Sequence, residues 1–255
     1  MIEPGLVSIT FRKNSPADII EWVRRAGLSA IEWGGDIHVP HGDTGRAAEV
    51  ARMTRDAGLR VACYGSYYRC GVSEGEGLAF DAVLDTARAL GAPRIRVWAG
   101  KGASASADPA AWAAVIEDAR RIADRAAAAG LEIAFEYHAN TLTDTPESAR
   151  RLLDALPHPA IRTLWQPPNG MDDAGCAASL KSVLPRLAHL HVFHWSFEGG
   201  LKREALAAGA ARWRPWIEIV RSLSRAPEAL IEFVRGDSAE AFLEDAATLR
   251  SWLAG

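Results

Sequence analysis

Cysteine is scarce in this chain and badly placed for cross-linking. Its three cysteines, Cys63, Cys70 and Cys176, are odd in number and show no CxxC spacing. That argues against a disulfide framework or a cysteine-rich zinc site and fits a reducing cytoplasm. Long apolar runs are missing as well. No stretch approaches a membrane span, and residues 1–20 lack the basic start and apolar run of a secretory leader. Charge of one sign is not in excess: a formal net charge of −3 leaves no footprint for DNA or RNA, so neither nucleic acid nor a membrane is expected as a partner. No GxGxxG or P-loop pattern follows the first apolar run, which removes the commonest nucleotide-binding reading.

What is present is a repeated punctuation. With 255 residues, 49% hydrophobic and 24% charged, the chain can bury a large core. α/β barrels of this size form one domain, so residues 1–255 are expected to fold as one. "AGLSAIEW", "AGLRVACY", "LGAPRIRVW" and "AGLEIAFEY" each set a glycine (Gly27, Gly58, Gly91, Gly130) between a helical pattern and a β-favouring run. Each reads as helix end, turn, strand. Helix starts are marked in "NSPAD", "ADPAA" and "DTPES", where Ser15, Asp108 and Thr145 can cap and a proline fills the first turn. Short, largely apolar strands are predicted at Leu6–Phe11, Ala30–Trp33, Arg60–Tyr64, Ile95–Trp98, Ile133–Glu136, Thr163–Gln166, Leu190–Phe193 and Leu230–Phe233. Eight such strands alternating with helices predict an α/β fold, a single (β/α)8 TIM barrel.

In such a barrel the chemistry sits where strands end, and those ends are unusually polar. Glu136 and Glu232 each close an otherwise apolar strand. A buried carboxylate there is costly unless it is paired or holds a metal. Two of them with a histidine on a third strand favour a metal site, and in "HLHVFHW" His191 is the better ligand, with His189 deeper and His194 at the turn. Trp33, Trp98, Trp165 and Trp195 also stand at strand ends. One tryptophan is usually core, but four at one rim can form an apolar wall that stacks on a sugar's C–H face.

Glu136 in "AFEYH", a polar residue ending the sixth strand, "HLHV" in the seventh and Glu232 in "LIEF" together resemble the xylose isomerase-like TIM-barrel superfamily, in particular its sugar phosphate isomerases/epimerases. The resemblance runs the whole chain in strand order. It implies a divalent metal ion (Mn, Mg, Zn or Co) held by Glu136, Gln166, His191 and Glu232. Gln166 departs from the family, which usually has aspartate there; a glutamine carbonyl still coordinates a hard cation but brings no charge. The implied activity is that of a sugar isomerase/epimerase in carbohydrate metabolism. It would move a proton next to a carbonyl through an enediolate in a small ketose, aldose or hydroxy-ketone, with Glu136 and Glu232 as base and acid.

His38, His138, His194 and Arg235 join the tryptophans as expected substrate contacts. Lys101, Lys202, Arg203 and Arg235 lie in loops but form no obvious phosphate clamp, so an unphosphorylated carbohydrate is the expected substrate. A metal-dependent lyase or dehydratase on an oxidised sugar would use the same parts. Two further alternatives are a catalytically silent barrel that binds a sugar or a partner subunit, and a lineage in which Gln166 marks the loss of the metal. An endonuclease IV-like repair enzyme is disfavoured because its extra histidine and aspartate ligands are missing. Whether the chain forms a homodimer or homotetramer stays open.

Overall fold

In a computed structural model, which describes residues 1–197 and 199–254, the chain closes into a ring of eight parallel strands. These are β1 (Glu3–Val7), β2 (Ala30–Gly34), β3 (Arg60–Arg69), β4 (Arg94–Trp98), β5 (Glu132–Phe135), β6 (Ile161–Trp165), β7 (Leu187–Val192) and, after a small antiparallel hairpin of β8 (Trp195–Ser196) and β9 (Lys202–Arg203), β10 (Glu228–Ile231). Each strand pairs with its neighbours in sequence, and the ring shuts where β1 lies between β2 and β10. The helices are α1 (Pro16–Arg25), α2 (Thr44–Asp56), α3 (Phe80–Leu90), α4 (Pro109–Ala128), α5 (Pro146–Ala155), α6 (Asp173–Val183), α7 (Ala210–Arg221) and α8 (Ala239–Ala254). This is the expected (β/α)8 barrel. Among the described residues no helix is long and apolar enough to cross a membrane.

Local sequence accounts for most boundaries. Ser15, Asp108 and Thr145 accept backbone N–H bonds at the starts of α1, α4 and α5, each with proline in the first turn. Gly27, Gly58, Gly91 and Gly130 all take the left-handed conformation at helix ends. Several strands are displaced from expectation, β3 running on to Arg69 and β6 and β7 starting two and three residues early, and the shifts of β1 and β10 bear on the site. β1 stops at Val7, and Ser8–Phe11 coil into a 3-10 turn. The turn places the Ser8 hydroxyl where it accepts from the Gly34 N–H and meets His38 Nδ1 at 2.9 Å. β10 ends at Ile231, so Glu232 and Phe233 lie beyond it.

The main core lies between the strands and the helices, and Trp112, Val115, Ala119, Ile122, Ala123 and Ala126 of α4 are buried in it at helical spacing, with Ile116 half-buried beside them. The barrel interior is different. A small apolar plug of Val7, Ile9, Ala30, Ala62 and Leu230 shares it with buried Glu32, Arg94, Arg96, His189, His191 and Glu228. Arg94 Nη1 donates to Glu228 at 2.7 Å. Such charges stay inside only because they are paired.

Candidate active site

Glu136, Gln166 and Glu232 are each the first residue after β5, β6 and β10, and His191 is the penultimate residue of β7. Ligand atoms of Glu136, His191 and Glu232 lie within 4.8 Å of one another, and all three residues are buried. Gln166 Nε2 donates to the Tyr137 carbonyl at 2.9 Å and to Glu136 Oε1 at 3.4 Å, while its own Oε1 is buried with no hydrogen-bond partner. Two carboxylates, an imidazole and an unpartnered amide oxygen are a donor set that fits a divalent cation.

A group the sequence did not flag sits against this cluster. Arg96, in the middle of β4 and 1% exposed, donates from Nη1 to Glu136 Oε2, and its Nε lies 3.0 Å from Glu32 Oε1. Trp98, two residues on, donates its indole N–H to the same Glu136 oxygen. Glu32 Oε2 in turn lies 3.1 Å from His189 Nε2 and 3.2 Å from His191 Nε2, and His191 Nδ1 is 3.4 Å from Glu232 Oε2. The guanidinium packs flat because β3 has glycine beside it: a Cβ on Gly65 would stand 2.7 Å from Arg96 Nη2 and 2.9 Å from Glu32 Oε1. The Tyr67 ring covers its other side at 4.5 Å.

These contacts set the charges. Burial would raise the Glu32 carboxyl, but Arg96 and the two histidines hold it well below the usual range. For Glu136, burial is again outweighed, chiefly by Arg96, and its pKa is lowered. His191 loses to burial and gains more from Glu232 and Glu32, which push it up to about 10. His189 is lowered, mainly by burial, and stays neutral.

Above the cluster opens a cavity of about 490 Å³ whose wall includes Tyr67, Trp98, Tyr137, His138, Phe193, Trp195 and Phe233, with Arg12, Asn140 and Asn169 as polar groups. Trp98 and His138 stack, ring centroids 4.5 Å apart. Among the described residues Trp195 Nε1 is buried with no partner, a donor available to a ligand oxygen. Tyr67, Asn140 and Phe233 hold positive φ of 57°, 59° and 56°, backbone strain that concentrates at functional sites.

The cavity thus takes in Trp98, His138 and Trp195 from the expected substrate contacts, and leaves out five others. Trp33 and Trp165 are fully buried on the outer side of the strands. Trp33 bonds Thr54 on α2 at 3.2 Å, and Trp165 bonds Ser179 on α6 at 2.9 Å and packs on Trp213 and Trp216. Side chains alternate along a strand, so each faces away from its inward neighbour, Glu32 or Gln166. His38 is buried against Ser8 and Trp33. His194 packs on Gly209, where a Cβ would meet its ring at 2.9 Å. Arg235 is exposed and paired with Glu244 at 3.2 Å. None of these five lines the cavity. Arg96 was legible in principle: "RIRVW" puts Arg94 and Arg96 on one face of an apolar strand.

A family profile described as xylose isomerase-like TIM barrel matches residues 20–252. No curated protein matches the sequence. Among solved structures, the probable 3-DHS dehydratase AsbF of Bacillus anthracis superposes with a TM-score of 0.81 at 20% identity, covering 98% of this chain and 99% of that one. A xylose isomerase-like TIM-barrel protein from Mycobacterium smegmatis in complex with magnesium gives 0.75 at 19% identity, covering 98% and 96%. A D-allulose 3-epimerase from Methylomonas sp. gives 0.73 at 16% identity, covering 98% and 97%. At these identities the likeness is one of fold.

Proposed function

Since the chain belongs to the xylose isomerase-like TIM-barrel family, we propose that it is a metal-dependent isomerase or epimerase. Its reaction would shift a proton next to a carbonyl in a small unphosphorylated ketose, aldose or hydroxy-ketone. The observation that carries this reading is the convergence of Glu136, His191 and Glu232, with ligand atoms within 4.8 Å, beneath an aromatic-walled cavity. Glu136, Gln166, His191 and Glu232 would hold a divalent cation, which supplies Lewis-acid polarisation of a carbonyl and an adjacent hydroxyl.

The two carboxylates differ in freedom. Glu136 is tied to Arg96 and Trp98, whereas Glu232 touches only His191 within the cluster. Glu136 must give up an ion pair to carry a proton, which suits it to returning one quickly. Trp98, His138 and Trp195 form the wall against which the apolar face of a sugar packs, and the unpartnered Trp195 N–H meets a hydroxyl.

A second reading is favoured by the 0.81 TM-score to a probable dehydratase. Proton abstraction next to a carbonyl followed by loss of a β-hydroxyl uses the same carboxylates. Both readings predict that, with Mn²⁺ present, substrate carbon-bound hydrogen exchanges with deuterated solvent. Product analysis by NMR then separates an epimer from a dehydrated product. A Glu136→Gln, Glu232→Gln double variant is expected to retain no Mn²⁺ on equilibrium dialysis and to catalyse no exchange. Native protein that binds no Mn²⁺ and exchanges no hydrogen across a panel of ketoses and cyclic hydroxy-ketones would refute both readings.

A further inference from the structure

Arg96 is, among the buried charged groups that the proposed reaction does not use, the one paired with a proposed carboxylate ligand, Glu136. It is 1% exposed, its Nη2 has no hydrogen-bond partner, and it is enclosed by Glu32, Glu136, the Tyr67 ring and the backbone at Gly65. A guanidinium cannot deprotonate in this setting, and Glu136 and Glu32 raise its pKa further against the effect of burial. One of the two carboxylates it neutralises, Glu136, is also in the metal-ligand cluster. The remaining change in the donor set runs the same way, since Gln166 brings an oxygen without a charge.

We propose that Arg96 is a resident cation of the site, which partly neutralises Glu136 in advance and thereby holds the affinity for a divalent ion down, so that the ion exchanges readily. The inference rests on the metal reading above. Its physical basis is that a fixed positive charge in contact with a ligand carboxylate repels an incoming cation, and does so strongly where water is excluded. Glu32 restrains the effect by sharing the guanidinium. Glu32 and Arg96 thus act as an adjustable pair set behind the ligands.

The test is a Mn²⁺ titration of untagged full-length protein by calorimetry at fixed pH, with circular dichroism melts for each variant. Arg96→Met leaves two carboxylates, Glu32 and Glu136, without their guanidinium and is expected to tighten Mn²⁺ binding by about tenfold or more. General disruption of the site would weaken binding, so a tighter constant is a signature that a merely structural role cannot produce. Glu32→Gln keeps the shape but throws the guanidinium wholly onto Glu136, and is expected to weaken binding by about fivefold or more.

Tighter binding in Arg96→Met than in native protein supports the proposal. Unchanged or weaker binding in a cooperatively folding Arg96→Met overturns it while leaving the metal reading intact. Should that variant not fold, Arg96→Gln, which removes the charge but keeps a polar side chain, decides, and unchanged or weaker binding there overturns the proposal. No binding by native protein or any variant overturns both.

Discussion

At the scale of single residues, Gly65 supports more of the site than its size suggests. The 2.7 Å and 2.9 Å approaches that a Cβ would make to Arg96 and Glu32 are closer than packed atoms tolerate, and both neighbours are pinned by ion pairs rather than free to swing away. Gly65→Ala is expected to destabilise the protein by about 1–3 kcal/mol, measured by urea unfolding; an unchanged midpoint and slope would show that the pair has slack. Glu136, His191 and Glu232 were legible in the sequence because a charged or ligating side chain at the end of an apolar strand stands out. Gly65 was not, and Arg96 showed only as a charge on an apolar strand, since the meaning of both depends on which residues of β2, β3 and β5 face them. Trp33 and Trp165 were misplaced because position at a strand end was weighed without its parity.

At the scale of elements, the joint between α8 and the 3-10 turn Leu206–Gly209 is held by one carboxylate. Asp245, 4% exposed, accepts the Leu206 N–H at 2.8 Å. Burial pushes its pKa up to about 6, and the hydrogen bond offsets this only in part. A pKa raised on folding means that the folded state holds the proton more tightly. The associated stability is complete below the unfolded value near 3.8 and is lost as pH rises through about 6. Asp245→Asn, which imitates the protonated form, is therefore expected to be more stable than native protein at pH 8 by about 1–3 kcal/mol, with the two unfolding curves merging near pH 4. Equal stability at pH 8 would show that the charge is well solvated. Helix starts and ends were readable here because caps, prolines and glycines are local chemistry. The end of β1 was not, because Ser8 leaves the strand to meet Gly34 and His38 from across the chain.

At the scale of the whole molecule, the interior is layered. Arg94 and Glu228 form a floor, Glu32, Arg96 and His189 a middle, and Glu136, His191 and Glu232 the top. Glu228→Gln leaves Arg94 buried with only Glu132 at 3.7 Å, and is expected to cost about 3 kcal/mol of stability while leaving Mn²⁺ affinity within error of native. A matching loss of affinity would mean that the layers are coupled. The ring of eight strands followed from the repeated turn glycines and capped helices, but its charged filling did not, because an apolar run conceals which of its faces looks inward. The layers also divide by segment. Every proposed ion donor comes from β5, β6, β7 and β10, whereas Glu32, Gly65 and Arg96 come from β2, β3 and β4. On the proposed reading the second half of the barrel holds the ion and the first half tunes how tightly it is held, so exchanging residues 30–98 with those of a relative is expected to change Mn²⁺ affinity without altering a single proposed ligand.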